Sequence, residues 1–231
     1  MDFFYSKNIE GKNIILDKDE MIHCVKSLRN KIDDFIYVSD GNGACYYCQI
    51  IEIESEICRL QIIKKNKIEK KIKIHLFISP TKNHKRIEWM LEKLVEVGIH
   101  RITFLICKNS VRKTVNLDRL NKIALSAMKQ TQNCFLPIID DCLSFNDAFE
   151  LIKTNEKYIA HLCYDNIPFL FNSIKSDKNK CIFIGPEGDF SKDEVSYALN
   201  KGFVEVSLGN SRLRTETSGL ISTVILNLKN E

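Results

Sequence analysis

The sequence has no long apolar run. A membrane-spanning helix needs about 20 consecutive, predominantly apolar residues, and no stretch of this chain approaches that length. The first residues, Met1–Tyr5, also lack the basic segment and apolar core of a secretory signal. We therefore expect neither a membrane span nor a secretory signal.

Metal-ligand patterns are lacking as well. The 5 histidines form no HExxH pattern, and the 9 cysteines are scattered without a framework. Cys45 and Cys48 have CxxC spacing, but they lie in a predicted strand, where residues three apart point to opposite faces. A structural zinc site normally needs four ligands, so we expect no bound metal. An odd number of scattered cysteines is typical of a reducing compartment, so we expect a cytoplasmic protein.

Two common phosphate-binding motifs do not occur. The chain contains neither the P-loop pattern GxxxxGK[ST] nor the dinucleotide pattern GxGxxG. It does contain 231 residues of which 44% are apolar, enough for a substantial core. The formal charge of +4, from 34 basic and 30 acidic residues, permits an RNA partner without requiring one.

The pattern of residues 1–70 is typical of a small β-barrel. Short apolar runs at 35–38, 45–57 and 58–63 predict strands, and Asp40–Gly43 is a strong turn signal. Asp17, with Glu20 three residues later, predicts the capped start of a short helix that ends by Arg29. The lysine-rich segment 64–73 predicts a domain boundary, either as a solvated linker that merges into a strand or as a strap that contacts phosphates.

From residue 72 onward, predicted strands and helices alternate. Strands are expected at 74–79, 102–107, 158–163, 181–184 and 204–208. Apolar residues at helical spacing predict helices around 87–95, 120–127, 195–199 and 220–228, and 145–152 is also expected to be helical. Ser191 with Glu194 predicts a capping box, and Gly98 and Gly202 predict helix ends. This alternation predicts a largely parallel α/β sheet covered on both faces.

Two of the predicted strands end in glycine loops, Gly185–Gly188 and the loop that begins at Gly209. Ligands of open α/β sheets bind at the carboxyl ends of strands, and glycine lets a ligand come close to the backbone. The alternative is that Gly185-Pro186 merely turns a strand toward a helix. The segment Leu213–Thr217 carries more polarity than a helix cap requires, so we expect part of it to face a ligand.

Three motifs lie around these loops. They are Ile184-Gly185-Pro186-Glu187-Gly188, Ser207-Leu208-Gly209 and Leu213-Arg214-Thr215-Glu216-Thr217. Together they resemble the signature of a known family, the RsmE family of 16S rRNA uridine-N3 methyltransferases in the SPOUT class. The resemblance covers most of the chain. Further matching positions are His23, Leu28, Arg29, Lys82, Arg86, Glu88, Lys93, Glu96, Gly98, Gln130 and Pro137.

The resemblance implies an α/β fold of two domains. Residues 1–70 would form a PUA-like β-barrel that binds RNA, and residues 71–231 a SPOUT methyltransferase domain with a deep C-terminal trefoil knot. A true knot runs against the usual topology rules, so it rests on the family alone. The resemblance also implies S-adenosylmethionine as cofactor, a homodimer with its active site near the subunit interface, and 16S rRNA or the small ribosomal subunit as partner.

Methyl transfer to the uracil imide nitrogen requires loss of a proton and stabilisation of charge on the ring carbonyl oxygens. Arg214 is the candidate cation, with a surface ion pair to Glu216 or Glu187 as its alternative role, and Glu216 is the weaker candidate for the base. The predicted cofactor-binding residues are Leu162, Ile184, Gly185, Pro186, Glu187, Gly188, Ser207, Leu208, Gly209, Leu213, Thr215 and Thr217. The predicted RNA-binding residues are Arg29, Lys82, Lys85 and Arg86, with solvated surface charge as the alternative for Lys82, Lys85 and Arg86.

Several positions depart from the family's commoner pattern. Asp189 stands where a glycine often closes the first loop, Asn109 and Asn133 stand where arginine is frequent, and the first residues lack the usual arginine. Two other functions stay open from the sequence. One is a related SPOUT methyltransferase that modifies another rRNA or tRNA position, and the other is a non-catalytic RNA-binding assembly factor.

Overall fold

The computed structural model describes residues 2–69, 72–162, 167–175 and 178–229, and the chain divides into two compact units. The first comprises Met1–Lys70 and Leu125–Leu136, and the second comprises Lys71–Ala124 and Pro137–Glu231. Within these described residues, none of the helices is long and apolar enough to cross a membrane.

The first unit is built on a mixed sheet of six strands. They are β1 (Phe3–Tyr5), β2 (Ile9–Glu10), β3 (Asn13–Leu16), β4 (Phe35–Ser39), β5 (Ala44–Ile53) and β6 (Cys58–Lys67), in the order β1-β4-β5-β6-β3-β2. β1 and β4 pair in parallel, and the other pairs are antiparallel. One face is buried because alternate residues of β3, β4 and β5 are apolar, which confirms the β-rich prediction for this region.

The predicted helix in this unit is split. Helix α1 spans Lys18–Ile22, and a π-helical turn, His23–Ser27, follows it. Asp17 is the N-cap, as predicted, since its carboxylate accepts a hydrogen bond from the Glu20 backbone nitrogen at 3.0 Å. Glu20 makes no reciprocal bond, because its buried carboxylate instead accepts from the Tyr5 backbone nitrogen and pairs with Lys129.

The expectation of a linker from residue 64 is wrong for residues 64–67. These residues belong to β6 and pair with β5, with Lys64 opposite Tyr47 and Lys67 opposite Ala44. The lysine side chains point into solvent while the backbone is held in the sheet. Composition alone does not distinguish a strand with exposed lysines from a solvated linker.

The second unit contains a fully parallel sheet, as predicted. Its strands are β7 (Ile74–Ile78), β8 (Arg101–Ile106), β9 (Ile138–Ser144), β10 (Glu156–Ala160), β11 (Lys180–Ile184) and β12 (Val204–Val206), in the order β12-β10-β11-β7-β8-β9. Strand β9 was not predicted. The predicted strand 158–163 ends at Ala160, and Cys163 lies outside the described residues.

The helices are α2 (His84–Glu96), α3 (Leu117–Gln130), α4 (Leu170–Ser173), α5 (Lys192–Asn200) and α6 (Thr215–Leu228). The segment predicted as helix at 145–152 forms a 3₁₀ turn at Asp147–Leu151. The capping box of α5 is present, with Ser191 and Glu194 bonded reciprocally. Gly98 and Gly202 follow α2 and α5 with φ of +81° each, the left-handed conformation expected at helix ends.

Helix α6 packs on α2 and β7 with its small residues inward. Gly219, Ser222 and Thr223 are buried, and a Cβ atom on Gly219 would lie 2.7 Å from Ile78 Cδ1. Leu226 is buried with them, whereas the other large apolar residues of α6 are half-buried or exposed. They are Leu220, Ile221, Val224, Ile225 and Leu228. This packing places the first turn of α6 beside the cavity described next.

Candidate active site

A cavity of about 820 Å³ lies at the carboxyl ends of β10, β11 and β12. Its walls come from the residues that follow these strands and from the start of α6. Apolar side chains such as Phe169 and Leu208 line it together with charged ones, including Arg86, Asp189 and Arg214. This volume and mixture are typical of a site for a small organic ligand.

The first glycine loop is held from two sides. The Lys82 backbone nitrogen donates to Glu187 Oε1 at 2.9 Å. The Asn109 side-chain nitrogen donates to the carbonyl oxygens of Gly188 and Asp189, at 3.1 and 3.0 Å. Glu187 therefore orients the loop through its carboxylate, and Asn109 fixes the end of the loop.

Asp189 ties this loop to the residue after β10. Its backbone has a φ of +62°, a conformation that aspartate tolerates better than most residues. One carboxylate oxygen accepts from the Leu162 backbone nitrogen at 2.8 Å, and the other accepts from the Phe190 backbone nitrogen at 2.8 Å. Asp189 also lines the cavity. The sequence identified this position only as a departure from a family pattern, so its part in the site was missed.

The second loop is closed on itself. Ser207 Oγ donates to the Gly209 carbonyl at 3.1 Å and accepts from the Gly209 nitrogen at 3.2 Å. Gly209 has a φ of +133°, which a residue with a side chain rarely adopts, and a Cβ atom built on it would meet nothing within 4 Å. The backbone at Gly209 is therefore open on the side where a side chain would stand, so a ligand can approach it there.

Arg214 and Glu216 lie in different surroundings. Arg214 is the exposed N-cap residue of α6 and lines the cavity. Among the residues that the structure describes, it has no salt bridge, and neither Glu216 nor Glu187 pairs with it. Glu216 is 5% exposed, and its Oε1 lies 3.6 Å from Arg86 Nε. Its Oε2 is buried without a hydrogen-bond partner in the described part of the chain.

Most of the predicted ligand-binding residues meet at this cavity. All of the predicted cofactor residues except Gly188 and Thr217 line it, and so does Arg86, which was predicted to bind RNA. Glu216 is outside the lining and contacts the cavity through Arg86. Lys82 and Lys85 are exposed near the start of α2. Arg29 is an exposed residue of the first unit with a φ of +62°.

Sequence reasoning also missed a pair on the neighbouring strands. His161 lines the cavity, and its Nε2 lies 3.0 Å from Glu205 Oε1. The two residues are far apart in the chain and become neighbours only because β10 and β12 pair in parallel. No local pattern could have connected them.

The parallel sheet and the cavity over two glycine loops define the chain as an α/β protein with a site for a small organic ligand. Correspondingly, a family model described as "RNA methyltransferase domain" matches residues 68–227. "Ribosomal RNA small subunit methyltransferase E 2" of Borreliella burgdorferi is 30% identical to this chain, and the match covers 94% of this chain and 92% of that protein. The chain belongs to the ribosomal RNA small subunit methyltransferase E family, which confirms the family predicted from the three motifs.

Solved structures agree with this result. A probable rRNA-methyltransferase from Porphyromonas gingivalis has a TM-score of 0.89 and 34% identity, over 96% of this chain and 95% of that one. A ribosomal RNA small subunit methyltransferase E from Neisseria gonorrhoeae, solved bound to S-adenosyl methionine, has a TM-score of 0.84, with 24% identity over 96% of this chain and 95% of that one. The fold described above is therefore the fold of these proteins.

Proposed function

We propose that this chain methylates the N3 position of a uridine in 16S ribosomal RNA, with S-adenosylmethionine as the methyl donor. The observation that carries the proposal is the cavity over the two glycine loops, with Arg214 at its wall and without a salt bridge among the described residues. Membership of the ribosomal RNA small subunit methyltransferase E family supports the substrate, and the chemistry of the cavity supports the cofactor.

The cavity fits an adenosyl cofactor. The apolar side chains of Ile184, Leu208 and Leu213 suit an adenine ring, and the open side of Gly209 leaves room for a ligand against the backbone. We propose that these residues and the predicted loop residues around them bind the cofactor. When bound, S-adenosylmethionine supplies an activated methyl group on a sulfonium centre.

Positioning is the first task of the site, because methyl transfer is an in-line displacement. The first loop is fixed by Glu187 and Asn109, so it forms a preorganised wall. Arg214 has no ion-pair partner in the described residues and is the cation proposed to stabilise negative charge on the uracil carbonyl oxygens. Glu216 is the weaker candidate for the base, and its Oε2 has no hydrogen-bond partner among the described residues.

We also propose a homodimer formed through α6. This helix leaves Leu220, Ile221, Val224, Ile225 and Leu228 partly exposed at helical spacing. Burial of such a stripe against a second copy would remove apolar surface from water. Light scattering of the purified protein should give the mass of a dimer, and Ile221→Asp should give a monomer. A monomeric wild-type protein would refute the proposal.

The domain roles follow the same family. We propose that residues 1–70 form a PUA-like domain that contacts RNA through Arg29. We further propose that residues 71–231 form a SPOUT domain whose C-terminal part is knotted and whose Lys82, Lys85 and Arg86 contact RNA. The mixed sheet of the first unit and the parallel sheet of the second unit support this division. A ribosomal RNA substrate also supports a cytoplasmic location.

The proposal is tested by removing the gene and digesting the small-subunit rRNA to nucleosides for mass spectrometry. N3-methyluridine should disappear and should return when the wild-type gene is restored, but not when a Gly209→Val gene is restored. Calorimetry on the purified Gly209→Val protein should show loss of S-adenosylmethionine binding in a folded chain. Unchanged N3-methyluridine in the deletion strain, or loss of a different methylated nucleoside, would overturn the assignment.

A further inference from the structure

A second cavity, of about 530 Å³, lies between the starts of α2 and α3. We call it the flanking cavity. It is lined by side chains from residues 84–88 and 112–120. These segments follow β7 and β8, and β7 pairs in parallel with β11, whose carboxyl end forms the first cavity. Both cavities therefore lie at the same edge of one sheet.

The first turn of α2 contributes to both cavities. Arg86 lines the first cavity, whereas its neighbours Lys85 and Ile87 line the flanking cavity. A ligand that enters the first cavity beside the cofactor and continues along this edge of the sheet therefore reaches the flanking cavity past a single helical turn. A polymer with repeating units fits this arrangement better than a separate small molecule does.

The lining of the flanking cavity combines an apolar part with cations. Ile87, Val115 and Leu120 provide apolar surface against which a base can pack. Lys85, Arg112 and Arg119 supply positive charge, opposed by the single carboxylate of Glu88, which pairs with Arg119. Apolar surface for bases beside cations for phosphates is the combination that binds single-stranded nucleic acid.

Arg112 is held in place beside the first turn of α2, a position that favours an anion. Arg112 donates to the carbonyl oxygens of Thr81, at 3.1 Å, and Lys82, at 2.9 Å, which anchors it to the loop before α2. The first turn of α2 carries His84, Lys85 and Arg86 and no acidic residue. Cations at a helix N-terminus oppose the helix dipole, and a bound phosphate would relieve this repulsion.

We propose that the flanking cavity binds a nucleotide adjacent to the target uridine in a single-stranded segment of the substrate RNA. The base packs on Ile87, Val115 and Leu120, and the neighbouring phosphate pairs with Lys85. This inference rests on the proposed function, because it requires that the uridine occupies the first cavity. It assigns the flanking cavity to recognition of the RNA and assigns no step of methyl transfer to it.

The test measures binding of a short, fluorescently labelled single-stranded RNA of mixed sequence to the full-length protein at several salt concentrations. Lys85→Ala should weaken binding about tenfold at low salt and reduce the salt slope by about 0.7, as expected for one lost phosphate contact on a single strand. Val115→Phe should weaken binding by filling the cavity, without changing the slope. The matched control is Lys122→Ala, an exposed lysine of α3 outside the cavity lining.

Cross-linking locates the contact directly. An RNA of the same length that contains 4-thiouridine should cross-link to a peptide from residues 112–120, and Val115→Phe should lower the yield. The inference is overturned if Lys85→Ala and Val115→Phe both bind RNA like Lys122→Ala, or if the cross-links lie elsewhere. Failure of the proposed function would give a different result: the wild-type protein would neither bind S-adenosylmethionine nor form N3-methyluridine.

Discussion

The charged side chains around the first cavity differ in how firmly they are held. Glu187 accepts a backbone hydrogen bond, Asp189 accepts two, and Arg86 lies beside Glu216. Arg214 lines the same cavity with no salt bridge among the residues described. A cation without a fixed partner can meet charge that develops on a substrate without first breaking an existing pair, and this is the physical reason for its proposed role.

We expect Arg214→Lys to lower kcat by about 10²-fold and to change the dissociation constant of S-adenosylmethionine by less than about threefold. Lysine keeps the charge but loses the planar fork of donors, and loss of one donor at a site of developing charge costs about 10²–10³ in kcat. Single-turnover kinetics and calorimetry measure the two quantities. Arg212→Lys, another exposed arginine of the same cavity, is the control and should have the smaller effect. Equal losses of turnover and cofactor affinity would contradict the role.

Asp189 gives a second prediction for single residues. Asp189→Ala removes both acceptors for the backbone nitrogens of Leu162 and Phe190 and puts a strained residue at a φ of +62°. We expect it to weaken S-adenosylmethionine binding at least about tenfold, because hydrogen bonds to charged groups contribute about 1.5–3 kcal/mol. Asp189→Asn should lose less, since asparagine tolerates this φ and keeps one acceptor oxygen.

The control for this experiment is Asp193→Ala, which removes a carboxylate in the first turn of α5 outside the cavity lining. Calorimetry of the three variants against the wild-type protein orders their affinities. A cofactor affinity of Asp189→Ala equal to that of Asp193→Ala would show that the hydrogen bonds from Leu162 and Phe190 to Asp189 do not shape the site.

At the level of elements, local signals predicted the helices and strands that carry strong patterns of their own. The Ser191–Glu194 capping box, the glycines after α2 and α5, and the apolar runs of β7, β8 and β11 are all present as predicted. Strand β9 was missed because its sequence includes Asp140 and Asp141, which weaken the strand pattern. In the fold, Asp140 is paired with Arg101 of the neighbouring β8, which donates to it at 2.7 and 2.9 Å. A contact between strands 39 residues apart leaves no local trace.

The first cavity likewise contains features that local sequence patterns predicted and features that depend on the order of the strands. The glycine loops were identified from the ends of two apolar runs, and they meet because parallel strands end at one edge of the sheet. Two contacts depend instead on which strands are neighbours. They are the hydrogen bond from the Leu162 backbone nitrogen to Asp189 and the His161–Glu205 pair. That order, β12-β10-β11-β7, is not encoded in any single segment.

The packing of α6 on β7 gives a prediction at this scale. Gly219 is buried, and a Cβ atom there would lie 2.7 Å from Ile78 Cδ1 and 3.2 Å from Met90 Sδ. We expect Gly219→Val to lower the free energy of unfolding by about 1–3 kcal/mol, because overpacking of a dense core forces side chains out of their preferred rotamers. Urea unfolding followed by circular dichroism measures the change. Leu199→Val, at an exposed position of α5, is the control, and equal stability of the two variants would refute close packing at Gly219.

At the level of the whole molecule, a hydrogen-bond network joins β7, β8 and β9 and gives a prediction about stability in acid. His75 Nε2 lies 2.7 Å from Thr103 Oγ1, Thr103 donates to Asp140, and Arg101 also bonds Asp140. Burial lowers the pKa of His75 to about 3, and repulsion from Arg101 contributes to this shift. The pKa of Asp140 is lowered as well, because its bonds to Arg101 and Thr103 outweigh the opposing effect of its burial.

The direction in which His75 changes the free energy of unfolding with pH follows from the difference between its pKa in the unfolded and folded chains. Between pH 6.5, where an unfolded histidine titrates, and about pH 3, the unfolded chain binds a proton that the folded chain does not. The free energy of unfolding should therefore fall as the pH falls through this range, with a contribution from His75 of up to about 1.4 kcal/mol per pH unit. Asp140 acts in the same direction at lower pH, because a carboxyl group with a lowered pKa stabilises the fold only while it is ionised.

We therefore expect His75→Gln to flatten the pH dependence of unfolding between pH 6.5 and about 3. Glutamine cannot take up a proton, but its amide can still donate to Thr103. A loss of packing would lower the free energy of unfolding by the same amount at every pH, whereas loss of the titrating group changes its slope against pH. Chemical unfolding at several pH values gives both quantities. His84→Gln, an exposed histidine of α2, should keep the wild-type slope. If the two variants share one slope, His75 is not the group whose protonation destabilises the protein in acid.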